Sequence, residues 1–116
     1  MTTPTELRVS RDRRSLTVTF DADDTYVLPA ELLRVLSPSA EVQGHAPEQR
    51  VTVAGKRNVE ITAIEPVGHY AVRIVFNDSH STGIFTWTYL LTLGREREKR
   101  WSEYLADLRE KGLSRD

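Results

Sequence analysis

The sequence predicts an α+β fold: a mostly antiparallel sheet with one short helix and two C-terminal helices packed on it. Three observations carry this. Apolar residues alternate with polar ones in two blocks, residues 7–28 and 59–85, the spacing of strands with one buried face. Short polar turns separate the strand-like runs, as in hairpins. After Thr86 the apolar spacing lengthens to three and four residues, the period of a helix.

Leu7 and Val9 open the first block, and Leu16, Val18 and Phe20 answer them after the polar turn Ser10 to Ser15. Asp21-Ala22-Asp23-Asp24 makes the next turn, and Tyr26 and Leu28 continue as a third strand. Pro29 opens a helix, since its missing N–H costs nothing in the first turn. Leu32, Leu33 and Leu36 follow at helical spacing, and Pro38 pushes Ser37 out of the helical region, so this helix ends near Leu36.

From Ser37 to Asn58 the pattern dissolves, with Pro38, Gly44, Pro47 and Gly55 in the run. Val51 and Val53 alternate as a short edge strand. A connection this long inside a compact domain is usually functional or mobile, and Gln43 to Gln49 is its expected mobile part.

Val59, Ile61 and Ala63 resume the alternation, and its slip at Ile64 predicts a bulge before Pro66. Val67-Gly68-His69 is a turn; Tyr70, Val72, Ile74 and Phe76 alternate as a strong strand; Asn77-Asp78-Ser79 turns again, into a strand over 81–85. Thr86 caps a helix carrying Trp87, Leu90 and Leu91 that ends near Gly94. Trp101, Tyr104, Leu105 and Leu108 then stand at i, i+3, i+4 and i+7, and Gly112 stops this last helix. Trp101, Leu105 and Leu108 are expected to pack on the sheet face of Val72, Ile74 and Phe76.

The 116 residues fit one domain, 1–116, with 39% hydrophobic and 28% charged residues, a globular rather than disordered balance. Zero cysteines exclude disulfides, thiolate catalysis and cysteine-held zinc or Fe–S clusters. There are 16 Lys+Arg against 17 Asp+Glu, so bulk charge argues against a nucleic-acid binder. No apolar run approaches a membrane span and no signal segment opens the chain, which reads as a soluble, cytoplasmic protein without a membrane partner.

Three basic clusters stand out: Arg11, Arg13 and Arg14; Lys56 and Arg57; and Arg95, Arg97, Lys99 and Arg100. Acids are interleaved among them, as on solvated turns and salt-bridged helices, and no glycine-rich phosphate loop accompanies them. His45, His69 and His80 all fall in or beside turns, none within four residues of another, so no helical zinc motif is present. Asp78 and His80 can pair across a strand end. No G-x-S-x-G elbow occurs, and no catalytic residues are assigned.

The stretches LRVLSPSAEV, IEPVGHYAVRIVF and HSTGIFTWTYL together resemble the gamma-butyrobetaine hydroxylase-like N-terminal domain family, here as a free-standing bacterial member. In the hydroxylases this small α+β domain precedes an Fe(II)/2-oxoglutarate oxygenase domain and holds zinc through three cysteines, spaced C-x-C-x-x-C, and a later histidine. The resemblance places those four ligands on Ser37, Ser39, Val42 and His80. Only the histidine is kept; hydroxyls are poor zinc ligands and valine is none. It therefore implies a retained scaffold without the metal, with no cofactor and no oxygenase chemistry.

Related domains also occur alone or fused to ATPases that scaffold Fe–S clusters. The resemblance thus implies a non-catalytic binding or adaptor module with a protein partner, accessory to redox or Fe–S and cofactor-assembly proteins. Its candidate surface is Gln43, His45, Lys56, Arg57, Asp78 and His80. The alternatives are a metal-dependent oxidoreductase-associated domain using His80 and a weak nucleic-acid binder.

Overall fold

The computed structural model describes residues 3–21, 24–44 and 50–116. Strands β1 (Glu6–Val9), β2 (Ser15–Asp21) and β3 (Asp24–Pro29) form an antiparallel meander. A second meander consists of β4 (Ile61–Val67), β5 (Ala71–Phe76) and β6 (Gly83–Thr86). Among the described residues four helices complete the fold: α1 (Ala30–Val35), α2 (Ala40–Gln43), α3 (Trp87–Arg95) and α4 (Arg97–Glu110). The fold is α+β, but with two three-stranded sheets where the sequence predicts one. The chain leaves the first sheet at Pro29 to form α1. It returns at Ile61 against the β1–β2 turn, bonding the carbonyl of Arg13 at 2.8 Å, and does not pair along a strand edge.

The period-2 residues meet as their alternation requires. Leu16 faces Leu28, Ile64 faces Ile74, and Val72 faces Phe85. Their buried members join Leu32 and Leu33 of α1 and Leu90 and Leu93 of α3 in one core. The bulge in β4 falls between Ile61 and Ala63, just before the phase slip. Pro29 is the N-cap of α1, and the N–H of Ala30 finds the Arg14 carbonyl at 2.7 Å. The Thr86 hydroxyl caps α3 by accepting from the Tyr89 N–H at 3.1 Å.

Two expectations need correction. Val51 and Val53 form no strand: Val51 is 51% exposed, and its N–H meets the Val42 carbonyl at 2.7 Å. Nor do Leu105 and Leu108 reach the sheet. They join Tyr104, Val35, Leu36, Val53 and Ala54 in a second cluster, and Trp101 bridges the two clusters. The reason is space: Leu90 and Leu93 put α3 in the main core, which displaces α4 onto the end of α1. Among the described residues no helix is long and apolar enough to cross a membrane.

Candidate functional site

Two short segments build the site. Ser37 and Ser39 flank Pro38 in the link between α1 and α2, and both are buried. Opposite them is the β5–β6 turn, where Ser79 takes a left-handed conformation (φ 72°). Asp78 Oδ1 accepts the His80 N–H at 3.1 Å, and Phe76 N–H donates to the His80 carbonyl at 2.9 Å. This tight turn directs the imidazole inward, where its side chain is 1% exposed.

His80 Nε2 lies 2.9 Å from Ser37 Oγ and 3.4 Å from Ser39 Oγ, while Nδ1 lies 3.1 Å from Glu41 Oε2. A carboxylate only accepts, so Nδ1 carries the proton; in the neutral ring the one lone pair of Nε2 then accepts from Ser37, the nearer hydroxyl. Burial pushes the His80 pKa down, Arg34 adds to this, and Glu41 opposes it. The neutral tautomer is the form these partners satisfy. Ser39 leads into α2 without a side-chain cap bond, because its hydroxyl faces the imidazole. Val42 is buried on the same four-residue helix, and Gln43 Nε2 donates to the Ser37 carbonyl at 3.0 Å.

Carboxylate, imidazole and serine thus stand in the order of a hydrolase triad, at hydrogen-bonding distances. The serine of this array is closed off from solvent. Ser37 is fully buried, and β6 lies against its hydroxyl so closely that a Cβ at Gly83 would overlap Ser37 Oγ. The principal surface cavities are lined by other residues.

Zinc does not fit either. The donors at the centre are one imidazole and two neutral hydroxyls, and the fourth position is an alkyl side chain. Among the described residues no group of three or more His, Cys, Asp or Glu is placed to hold a metal. Glu41 on Nδ1 nevertheless has the geometry of the carboxylate that orients a metal-bound histidine. Glu41 on Nδ1 and the two hydroxyls on Nε2 together make a hydrogen-bonded clasp around the imidazole.

Beside the clasp, Asp78 Oδ2 takes Arg34 Nε at 2.7 Å and Lys56 Nζ at 2.6 Å. Burial alone would raise the Asp78 pKa, but the Lys56 and Arg34 hydrogen bonds outweigh it and hold it down at about 2. Lys56, Arg57 and Asp78 line a surface cavity of about 350 Å³ together with Asn58 and Asn77. Of the six candidate surface residues, these three share one concavity. Gln43 and His80 turn inward, and His45 lies outside the described residues. Sequence reasoning missed Glu41 and Arg34, whose partners lie 39 and 44 residues away. No local spacing signals such pairs.

The fold and the site define a small α+β domain with a buried histidine held in a hydrogen-bonded clasp. Residues 7–91 match the family described as gamma-butyrobetaine hydroxylase-like, N-terminal, and the chain belongs to that family. Two proteins with NMR solution structures are similar to it. One is 44% identical, with a TM-score of 0.86, over 100% of this chain and 91% of that one. The other is 45% identical, with a TM-score of 0.84, over 99% and 86%. A crystal structure of a protein of unknown function from Acidithiobacillus ferrooxidans, of the DUF971 family, is 40% identical over 78% of this chain and 91% of that one, with a TM-score of 0.64. No curated protein matches the chain.

Proposed function

We infer that the chain is a small non-enzymatic binding or adaptor module of the cytoplasm, which meets a protein partner at the concavity beside the Asp78 ion cluster. One contrast carries this reading. The Ser37–His80–Glu41 array is sealed from substrate, whereas Lys56, Arg57 and Asp78 line an open cavity. Lys56 is paired with Asp78 and Arg57 with Asp116, so the surface presents fixed, compensated charges. Such charges orient a partner and reject wrong ones without leaving a bare ion to bury. The company of redox and Fe–S assembly proteins that the resemblance implies makes those the first partners to try. A net charge of -1 gives no support to nucleic-acid binding.

Asn58 is exposed on the cavity wall, and Asn58→Trp fills that wall while sparing the ion pairs. In quantitative capture from native lysate, the parent chain should retain a defined set of proteins that the folded Asn58→Trp variant loses. Equal retention by both chains would remove the concavity as the contact surface.

A further inference from the structure

Past α4 the chain turns at Gly112, whose φ of +67° is a left-handed conformation that glycine takes without strain. Residues 113–116 then run back over α1 and the segment 55–57. The Ser114 carbonyl accepts from the Gly55 N–H at 2.9 Å, and the Arg115 carbonyl from the Arg57 N–H at 3.0 Å. Arg115 places a two-pronged fork on Glu31, Nε to Oε2 at 2.8 Å and Nη2 to Oε1 at 2.7 Å. Its guanidinium also stands 5.1 Å from the centre of the Trp101 ring. Asp116 pairs with Arg57. Main chain, an arginine and the acidic residue after it are each read by a separate group.

Glu31 is only 6% exposed, and a carboxylate so buried requires a cation. Little else holds the strap: Leu113 is 42% exposed, and Ser114 and Asp116 are exposed too. A cavity of about 510 Å³ opens beside the guanidinium, with Pro29, Leu32, Arg97, Glu98 and Trp101 on its walls. A second segment therefore has room to approach Trp101 before the strap has left.

We propose that Glu31, Trp101 and the Gly55 and Arg57 amides form an arginine-reading peptide cradle, filled in cis by residues 114–116 and open to an extended segment of another protein that carries an arginine followed by an acidic residue. The two Glu31 oxygens accept two parallel N–H groups, a match for guanidinium that an ammonium cannot reproduce. The strap competes at an effective concentration in the millimolar range, so the affinity for a partner rises once the strap's own arginine is removed and only its main-chain bonds remain. The proposal rests on the binding-module reading and gives it a partner chemistry. The titration below tests the cradle and the Asn58→Trp capture tests the reading, so the two fail separately.

The test is calorimetric titration of the full chain carrying Arg115→Ala with an end-blocked Gly-Leu-Ser-Arg-Asp peptide. The variant should bind one peptide at least about tenfold more tightly than the parent chain does. The same peptide with lysine for arginine should bind at least about tenfold more weakly. Arg115→Lys keeps a charge on Glu31 and serves if Arg115→Ala does not fold; its affinity should fall between the two. Absence of saturable binding up to millimolar peptide on a folded variant, or equal binding of both peptides, overturns the cradle. A parent chain that dimerises with concentration, beside an Arg115→Ala chain that does not, would seat a second copy's strap there and overturn the assignment to a different protein.

Discussion

Replacing Ser37, Ser39 and Val42 together by cysteine should turn the clasp into a zinc site. Tetrahedral zinc, about 2.3 Å from sulfur and about 2.0 Å from nitrogen, sets those ligand atoms roughly 3.5 Å apart. The serine oxygens already sit 2.9 and 3.4 Å from His80 Nε2, so the gaps need to open by only about 0.6 and 0.1 Å. Glu41 already holds Nδ1, which leaves Nε2 free for metal. Without metal the variant loses the serine hydroxyls' contacts with the imidazole and some buried packing at Val42, together about 2–4 kcal/mol. For a domain of this size that lowers the melting temperature by roughly 8–20 °C. Structural zinc contributes on the order of 10 kcal/mol, so the loaded variant should melt above the parent chain. Native mass spectrometry and thermal melts with zinc or chelator read both effects, and the parent chain should respond to neither addition. A reduced, folded triple variant that takes up no zinc would show that the three positions do not converge on Nε2, and the account of the clasp would fall.

Three shorter predictions address the same structure. Because burial depresses the folded pKa of His80 below the usual value near 6.5, the native chain binds fewer protons than the unfolded one; its contribution to stability is full above about pH 6.5 and declines as pH falls toward the folded pKa. Denaturant unfolding between pH 7.5 and 5 should therefore show a steeper loss for the parent chain than for His80→Gln, and equal slopes would contradict the buried neutral imidazole. A fluorophosphonate probe should leave Ser37 unlabelled in the folded chain, since the hydroxyl is sealed by β6; stoichiometric labelling read by mass spectrometry would revive the hydrolase reading. Gly94→Ala should destabilise by up to about 2 kcal/mol, because the added Cβ meets the Tyr26 ring at 2.5 to 2.9 Å and overpacking costs about 1–3 kcal/mol against about 1 kcal/mol of helix propensity gained. In a Tyr26→Ala background the same change should stabilise by about 1 kcal/mol, and a melting curve without that reversal of sign would show that the ring yields freely.

The concavity and the cradle are related in space. The strap's Asp116 lines the 350 Å³ cavity and its Arg115 lines the 510 Å³ one, so residues 113–116 run between them. A partner segment that replaced the strap would reach both. Arg57, with its N–H on the Arg115 carbonyl and its side chain on Asp116, is the residue the two places share.

The strands and helix ends that are legible in the residues follow from local physics. Alternation at Leu16, Val18 and Phe20 and at Val72, Ile74 and Phe76 marks strands because a pleat turns every second side chain to one face. Pro29, Thr86 and Gly112 mark the ends of helices because each acts on its own backbone. Of the four positions the resemblance singles out, the structure brings Ser37 and Ser39 to within 2.9 and 3.4 Å of His80 Nε2. Tertiary structure alone decided the rest. Residue α2 positions offered no signal, since a four-residue helix has no period to read. The division into two sheets depended on where Ile61 docks, and the seat of α4 on α3 having already filled the core. Glu41 on His80, Arg34 on Asp78 and Arg115 on Glu31 span 39, 44 and 84 residues of chain. Electrostatic partners at that separation are chosen by the path of the whole backbone and by the burial that makes an unpaired charge costly, neither of which is written in the spacing of neighbouring residues.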